Sequence, residues 1–317
     1  MIPQALTWYA TKGGVGKSTH CANHAVMNAA GGWRVLVVDL DPQGNMARLL
    51  GFDARHGGAD DGGAELLGAF KDRRVPTVLR DVGGRGGLDA VAGGPAAGEL
   101  LDLLGLRAMQ GQPVSQALDE ILLPIASDYH LILVDLPPTW SLLHVVALST
   151  VRFVVIPAEP GDLQIDGVAH ALNHVAEIQA RQNPDLEVLG VAVGKYRRGA
   201  TRRMAEGRAD LAALLTDMDA ADVEVFEPWI RHTDAAEEML RLGRVAIEHE
   251  RIAEEARRRR FEWLRTRTGE QPPSLNVDGA RGLADDYAAV ISTVNDRFRG
   301  RLDATRTTMA AIAEVAR

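Results

Sequence analysis

The sequence predicts an α/β protein with a doubly wound, mostly parallel sheet flanked by helices, and three observations carry that prediction. Short runs at residues 5–10, 35–40, 131–136, 153–158 and 189–193 are apolar nearly throughout and are separated by segments of helical length. Continuous rather than alternating apolarity suits parallel strands covered by helices on both faces. A glycine-rich loop follows the first run, and acidic residues close the second and third. In such sheets, ligands gather at the carboxyl ends of the strands.

The loop reads Lys12-Gly13-Gly14-Val15-Gly16-Lys17-Ser18-Thr19. The ordinary phosphate-binding pattern G-x-x-x-x-G-K-[ST] would place a glycine at position 11, but Thr11 stands there and a second lysine, Lys12, follows it. Gly13, Gly14 and Gly16 let the backbone, Val15 included, bring successive N–H groups close to an oxyanion. The helix expected to begin near Lys17 adds its positive dipole end. Lys17 would reach the β- and γ-phosphates, Ser18 would ligate Mg²⁺, and Thr19 would be a further donor. Lys12 sits at the loop entrance, where the phosphates already have Lys17.

The second run ends in Asp39-Leu40-Asp41-Pro42-Gln43-Gly44-Asn45, where Pro42 and Gly44 force a turn. Two carboxylates beside a triphosphate repel it unless they act through Mg²⁺ or water. The third run ends in Asp135, before Pro137 and Pro138. An acid closing an apolar strand there suits a Mg²⁺ held through water.

Residues 53–63 and 83–98 are glycine-rich and read as loops, with a short strand at 88–91. A break at 266–282 holds Pro272 and Pro273. Beyond it Tyr287, Val290, Ile291, Val294 and Phe298 recur at helical spacing. The expectation is one domain over 1–317, with a basic helix or loop insertion at 248–276 and helices over 279–317 that pack on the domain.

Composition narrows the class. With 317 residues, 46% of them hydrophobic, the chain can bury a large core. Its one cysteine can form no internal disulfide and builds no cluster or zinc site, as expected of an intracellular protein. No stretch approaches a membrane span and no basic segment with a cleavage site precedes the first strand, so a cytoplasmic location is expected. A net charge of −8 requires any contact with DNA to use a local patch. Arg197, Arg198, Arg202, Arg203 and Arg208 form one candidate patch, and Arg257, Arg258, Arg259 and Arg260 another. The second follows Glu254 and Glu255, so intrahelical ion pairs compete with phosphate for it. Phe261 and Trp263 beside it could stack on bases, but the favoured expectation is that they anchor that helix to the core.

The loop 12–19 resembles the deviant Walker A motif of the ParA/MinD family of P-loop ATPases, and the resemblance covers roughly residues 2–245, resuming near Gly279. It implies an ATP- and Mg²⁺-dependent ATPase that closes as a homodimer, with Lys12 crossing to the partner's nucleotide. The D-x-D-P-Q-G-N segment resembles the family's switch motif, which implies that Asp41 orients the attacking water and Asp39 belongs to the metal-side network. Asp135 with its two prolines resembles the D-x-P-P continuation of the family's Mg²⁺-holding strand. Ile156-Pro157-Ala158-Glu159-Pro160 is similar to a second switch segment. The stretches ending at Tyr196 and containing Arg231 resemble those that flank adenine, although Arg231 stands where a proline is usual. By resemblance to the ParA-type (Soj-like) members, the expected activity is plasmid or chromosome partition: nonspecific double-stranded DNA binding on the nucleoid, with hydrolysis stimulated by a ParB-like centromere-binding protein. The alternative is a MinD-like or cargo-positioning ATPase, although the C-terminal residues lack the amphipathic anchor that membrane cycling needs.

Overall fold

The computed structural model describes residues 1–53, 58–159, 162–196, 201–268 and 270–315. Six strands, β1 (Ile2–Trp8), β2 (Val35–Asp39), β3 (Leu88–Val91), β4 (Leu131–Asp135), β5 (Val151–Ala158) and β6 (Glu187–Val193), form one sheet in the order β3-β2-β4-β1-β5-β6. Every pairing in it is parallel. The doubly wound class expected from the apolar runs is the class observed. β1 starts at Ile2, ahead of its apolar run, and ends at Trp8; Tyr9 and Ala10 are buried but already lead into the glycine loop.

Helices cover both faces. One face is packed by α1 (Lys17–Ala30), α2 (Asn45–Leu50), α9 (Asp234–Arg241), the start of α10 (Ala246–Thr266) and α11 (Val277–Val315). The other is packed by α3 (Ala64–Asp72), α4 (Leu100–Met109), α5 (Ala117–Ala126), α6 (Leu142–Thr150), α7 (Asp162–Arg181) and α8 (Thr201–Asp217). Strand residues serve the two faces in alternation: Leu36 and Val38 join the second core, Val35 and Val37 the first. Each fully buried leucine or phenylalanine here contributes about 1.5–3 kcal/mol relative to exposure.

The register of the central strands assembles the acidic residues. Asp39 pairs directly with Asp135 across β2 and β4, so both carboxylates stand at the same end of the sheet as the loop that leaves β1. That end is where the chain turns in opposite directions on either side of β1 and β4, the crevice in which open α/β sheets bind ligands.

The C-terminal break is shorter than expected. α10 runs as continuous helix through Thr266, and α11 resumes at Val277. α10 is tied to the loop before β3 by Arg85, which donates to both Glu248 oxygens at 2.6 and 2.8 Å. The expectation that Phe261 anchors α10 to the core is overturned, because Phe261 is 63% exposed. Phe261 stands on the outward face of α10, whereas Arg260 and Trp263 on the same stretch are half-buried. Trp263 is half-buried under the Arg267 guanidinium, 4.8 Å from its ring centre.

Candidate functional site

α1 begins at Lys17 because Gly16 precedes it with φ +89°, a left-handed conformation that glycine adopts without penalty. Among the described residues no side chain caps the helix, so its first N–H groups remain available to an anion. Lys17 is buried, and its ammonium donates to the Lys12 carbonyl at 3.3 Å, folded back over the loop. Lys12 itself is exposed, and among the described residues nothing pairs with its ammonium. Val15 turns its side chain inward, leaving only its backbone to the loop.

Gly13, Gly14, Lys17, Ser18, Thr19 and Asp41 share one open cleft of about 440 Å³. Asp41 is held there by its neighbours: the Asp39 carboxylate accepts from the Asp41 N–H at 2.9 Å and from the Met46 N–H at 3.3 Å. Asp41 in turn accepts from the Gln43 N–H at 2.9 Å. Asp39 thus shapes the turn from beneath it. Asp135 is fully buried, with the Ser18 hydroxyl nearby, and among the described residues neither of its carboxylate oxygens has a partner in hydrogen-bond geometry.

The charges are balanced to receive a cation. Burial pushes the Lys17 ammonium below its usual range, while Asp135 and Asp41 pull it back. Burial, then the charge of Asp135, holds Asp39 well above the usual carboxylate range. Burial also raises Asp135, offset in part by the nearby Ser18 hydroxyl and increased again by the charge of Asp41. Two acids so placed share protons unless a positive ion enters. Mg²⁺ fits this donor set. It takes one or two protein oxygens together with phosphates and water, and among the described residues no three His, Cys, Asp or Glu side chains form a closed cage.

Lys195 was not singled out from the sequence, yet it closes the site from the side. Its ammonium donates to the Gly14 carbonyl at 2.5 Å and pairs with Glu159 at 2.6 Å, tying the end of β5 to the phosphate loop. No sequence pattern signals this, because the three residues come from three separate loops. Arg48, another cation at the cleft, is engaged by the carbonyls of Leu240 and Arg241 at the end of α9.

Of the residues expected beside a base, Tyr196 meets Trp229 edge-on and packs against the core on the α3–α8 side. Arg231 lies across α11 and is bound to Asp286. Among the candidate DNA-contacting arginines, Arg197, Arg198 and the side chain of Arg203 lie outside the described residues. Arg202 is exposed and paired with Glu206, and Arg208 is paired with Glu227. On α10, Arg257 approaches Glu254 at 3.7 Å, Arg259 pairs with Glu255 at 2.5 Å, and Arg260 reaches the Pro272 carbonyl. Arg258 is exposed and unpaired among the described residues.

Comparison with known proteins bears on this geometry. The CobQ/CobB/MinD/ParA nucleotide binding domain matches residues 6–241. The chromosome-partitioning ATPase Soj of Thermus thermophilus is 36% identical over 186 residues, covering 58% of this chain and 66% of that protein. A Cyanothece McdA variant in complex with ATP superposes with a TM-score of 0.67 at 16% identity, over 92% of this chain and 96% of the other. The pNOB8 ParA bound to nonspecific DNA superposes with a TM-score of 0.58 at 17% identity, over 94% and 99%. At these identities the two superpositions speak for the fold alone.

Proposed function

The chain belongs to the CobQ/CobB/MinD/ParA nucleotide-binding family, and from that premise we propose that it is a partition-type ATPase. In this reading it closes as a dimer on ATP, holds DNA without reading its sequence, and releases it after hydrolysis stimulated by a ParB-like partner. One observation carries the reading. A buried lysine, an unpaired exposed lysine, a backbone-held aspartate and an orphaned carboxylate converge at one phosphate-sized loop.

The residues divide the work. The loop N–H groups and Lys17 hold the β- and γ-phosphates, while Asp41 orients the water that attacks the γ-phosphorus. Ser18 and Asp135 would hold Mg²⁺, which when bound would supply positive charge against the triphosphate. Asp39 fixes the turn on which Asp41 stands. Lys12, unpaired among the described residues of its own chain, reaches the partner copy's phosphates, where a transition state gains charge. Dimerisation and hydrolysis are then one linked event.

The similarity to Soj supports the partition role, and the fold shared with a ParA seen on nonspecific DNA is compatible with it. Among the described residues no helix is long and apolar enough to cross a membrane. The deciding experiment is ATP-dependent binding to random duplex DNA across a salt titration, with wild type and Asp41→Ala. The variant is expected to bind ATP and remain on DNA, with log affinity falling linearly with log salt concentration. If it binds no DNA at low salt, the partition reading is lost.

A further inference from the structure

The segment between β4 and α6 forms one wall of the phosphate cleft. Leu136 and Pro138 line that cleft together with Gly13, and a Cβ added at Gly13 would lie 3.5 Å from the Pro138 Cβ. Pro138, Thr139 and Trp140 are exposed. Pro137 and Pro138 have no N–H, which removes two backbone donors from the segment. Its shape therefore depends on side chains.

The ring of His144, in the first turn of α6, supplies the support. It is fully buried, and each of its nitrogens meets the backbone at one end of the segment. Nε2 lies 3.0 Å from the Pro137 carbonyl oxygen, and Nδ1 lies 3.1 Å from the Ser141 backbone nitrogen. A carbonyl can only accept and an N–H can only donate, so the two partners fix the tautomer: Nε2 carries the proton and Nδ1 accepts. The Ser141 contact is one half of a capping box, a motif in which Glu or Gln ordinarily occupies the position held here by His144. An ionised Glu there could not also donate to Pro137.

The brace is itself held in place and lies close to the phosphate loop. Tyr9, just beyond β1, meets the His144 ring edge-on at 5.7 Å, and Trp140 lies 5.3 Å from it on another side. Trp140 in turn stacks on His174 of α7 at 3.8 Å, and the Tyr9 hydroxyl bonds His174 Nδ1 at 2.6 Å. Burial holds the His144 ring down at about 4; the Pro137 bond works against this, and the charge of Lys17 adds to it. The ring is thus neutral at pH 7, as its two bonds require, and near enough to the phosphate loop to sense its lysine.

We propose that His144 is a positioning residue for turnover: by bridging Pro137 and Ser141 it holds Pro138 against the phosphate loop at Gly13, beside Lys12. The inference rests on the reading that this cleft hydrolyses ATP. Lys17 and the loop N–H groups grip the nucleotide without help from this wall, so the brace acts on rate and not on affinity. The test is single-turnover ATP hydrolysis beside equilibrium MgATP binding for wild type, His144→Gln and His144→Asn. The Gln amide offers an acceptor to Ser141 and a donor to Pro137, whereas the shorter Asn keeps only the capping contact. His144→Asn should lose about ten- to hundredfold in rate with binding within about twofold of wild type, and His144→Gln should stay within about threefold in rate. A wild-type rate in His144→Asn, equal losses in both variants, or a parallel loss of binding overturns the proposal. Heteronuclear NMR of the histidine ring nitrogens in wild type gives a check independent of the rates: His144 should show the Nε2–H tautomer, and an Nδ1–H tautomer overturns the brace even if every variant fails to fold. A wild type that shows the Nε2–H tautomer but never hydrolyses ATP sinks the ATPase reading and, with it, the role in turnover.

Discussion

His24 on the phosphate-loop helix and Asn295 on the C-terminal helix meet through a 3.0 Å hydrogen bond between Nε2 and Oδ1. The contact belongs to a polar chain. Trp8 donates to His24 Nδ1 at 3.2 Å, and Asn28 and Asn295 exchange bonds at 3.2 and 2.7 Å. β1, α1 and α11 are thereby fixed to one another by satisfied polar groups inside an apolar core, where each unmade bond is expensive.

Removing Asn295 should therefore cost more than one surface contact. Asn295→Ala leaves His24 and Asn28 short of partners and is expected to destabilise the fold by about 2 kcal/mol, read by denaturant unfolding. A loss below about 0.5 kcal/mol would mean that water replaces the side chain without penalty.

The buried histidines make stability sensitive to acid. Burial holds His20, His24 and His144 down at about 4, against roughly 6.5 in an unfolded chain. As pH falls below about 6.5 the unfolded state takes up these protons first, so this stability is complete above that pH and drains away towards pH 4. Each histidine contributes on the order of 3 kcal/mol across the window. Asp39 and Asp135, held above their usual range, act in the opposite direction and gain stability as pH falls. Comparison with His24→Gln isolates one contribution: the drop in Tm from pH 7 to pH 5 should be smaller in the variant than in wild type.

The two loop lysines should separate binding from turnover. Lys17→Ala is expected to weaken nucleotide binding roughly ten- to hundredfold, because it removes a buried charge from the phosphates. Lys12→Ala should bind nucleotide as wild type does but lose roughly a thousandfold in turnover, as when a charge supplied in trans is withdrawn. Single-turnover hydrolysis beside equilibrium titration reads both. Undiminished turnover in the Lys12 variant would falsify the shared-site mechanism.

The arginines of α10 should be unequal on DNA. Arg258 has no partner among the described residues, whereas Arg259 is held by Glu255 at 2.5 Å. Arg258→Ala should reduce the slope of log affinity against log salt by about one, the mark of one lost phosphate contact, and Arg259→Ala should change it less. Equal slopes in both variants and in wild type would remove α10 from the DNA surface.

The sequence by itself determined the sheet class, the phosphate loop and the acidic strand ends. Each rests on a local rule: continuous apolar runs for buried parallel strands, glycines where the backbone must approach an anion, and an acid followed by proline where a strand stops. The family resemblance read from those motifs agrees with the segment matched at 6–241. Only tertiary structure decided which side chains surround the loop. Lys195 reaches Gly14 across 181 positions and Arg231 reaches Asp286 across 55, separations at which no periodicity carries information. It also decided the exposure of Phe261, since an aromatic residue on a helix is buried only if the face it stands on meets a neighbouring element, and the face carrying Phe261 is turned outward.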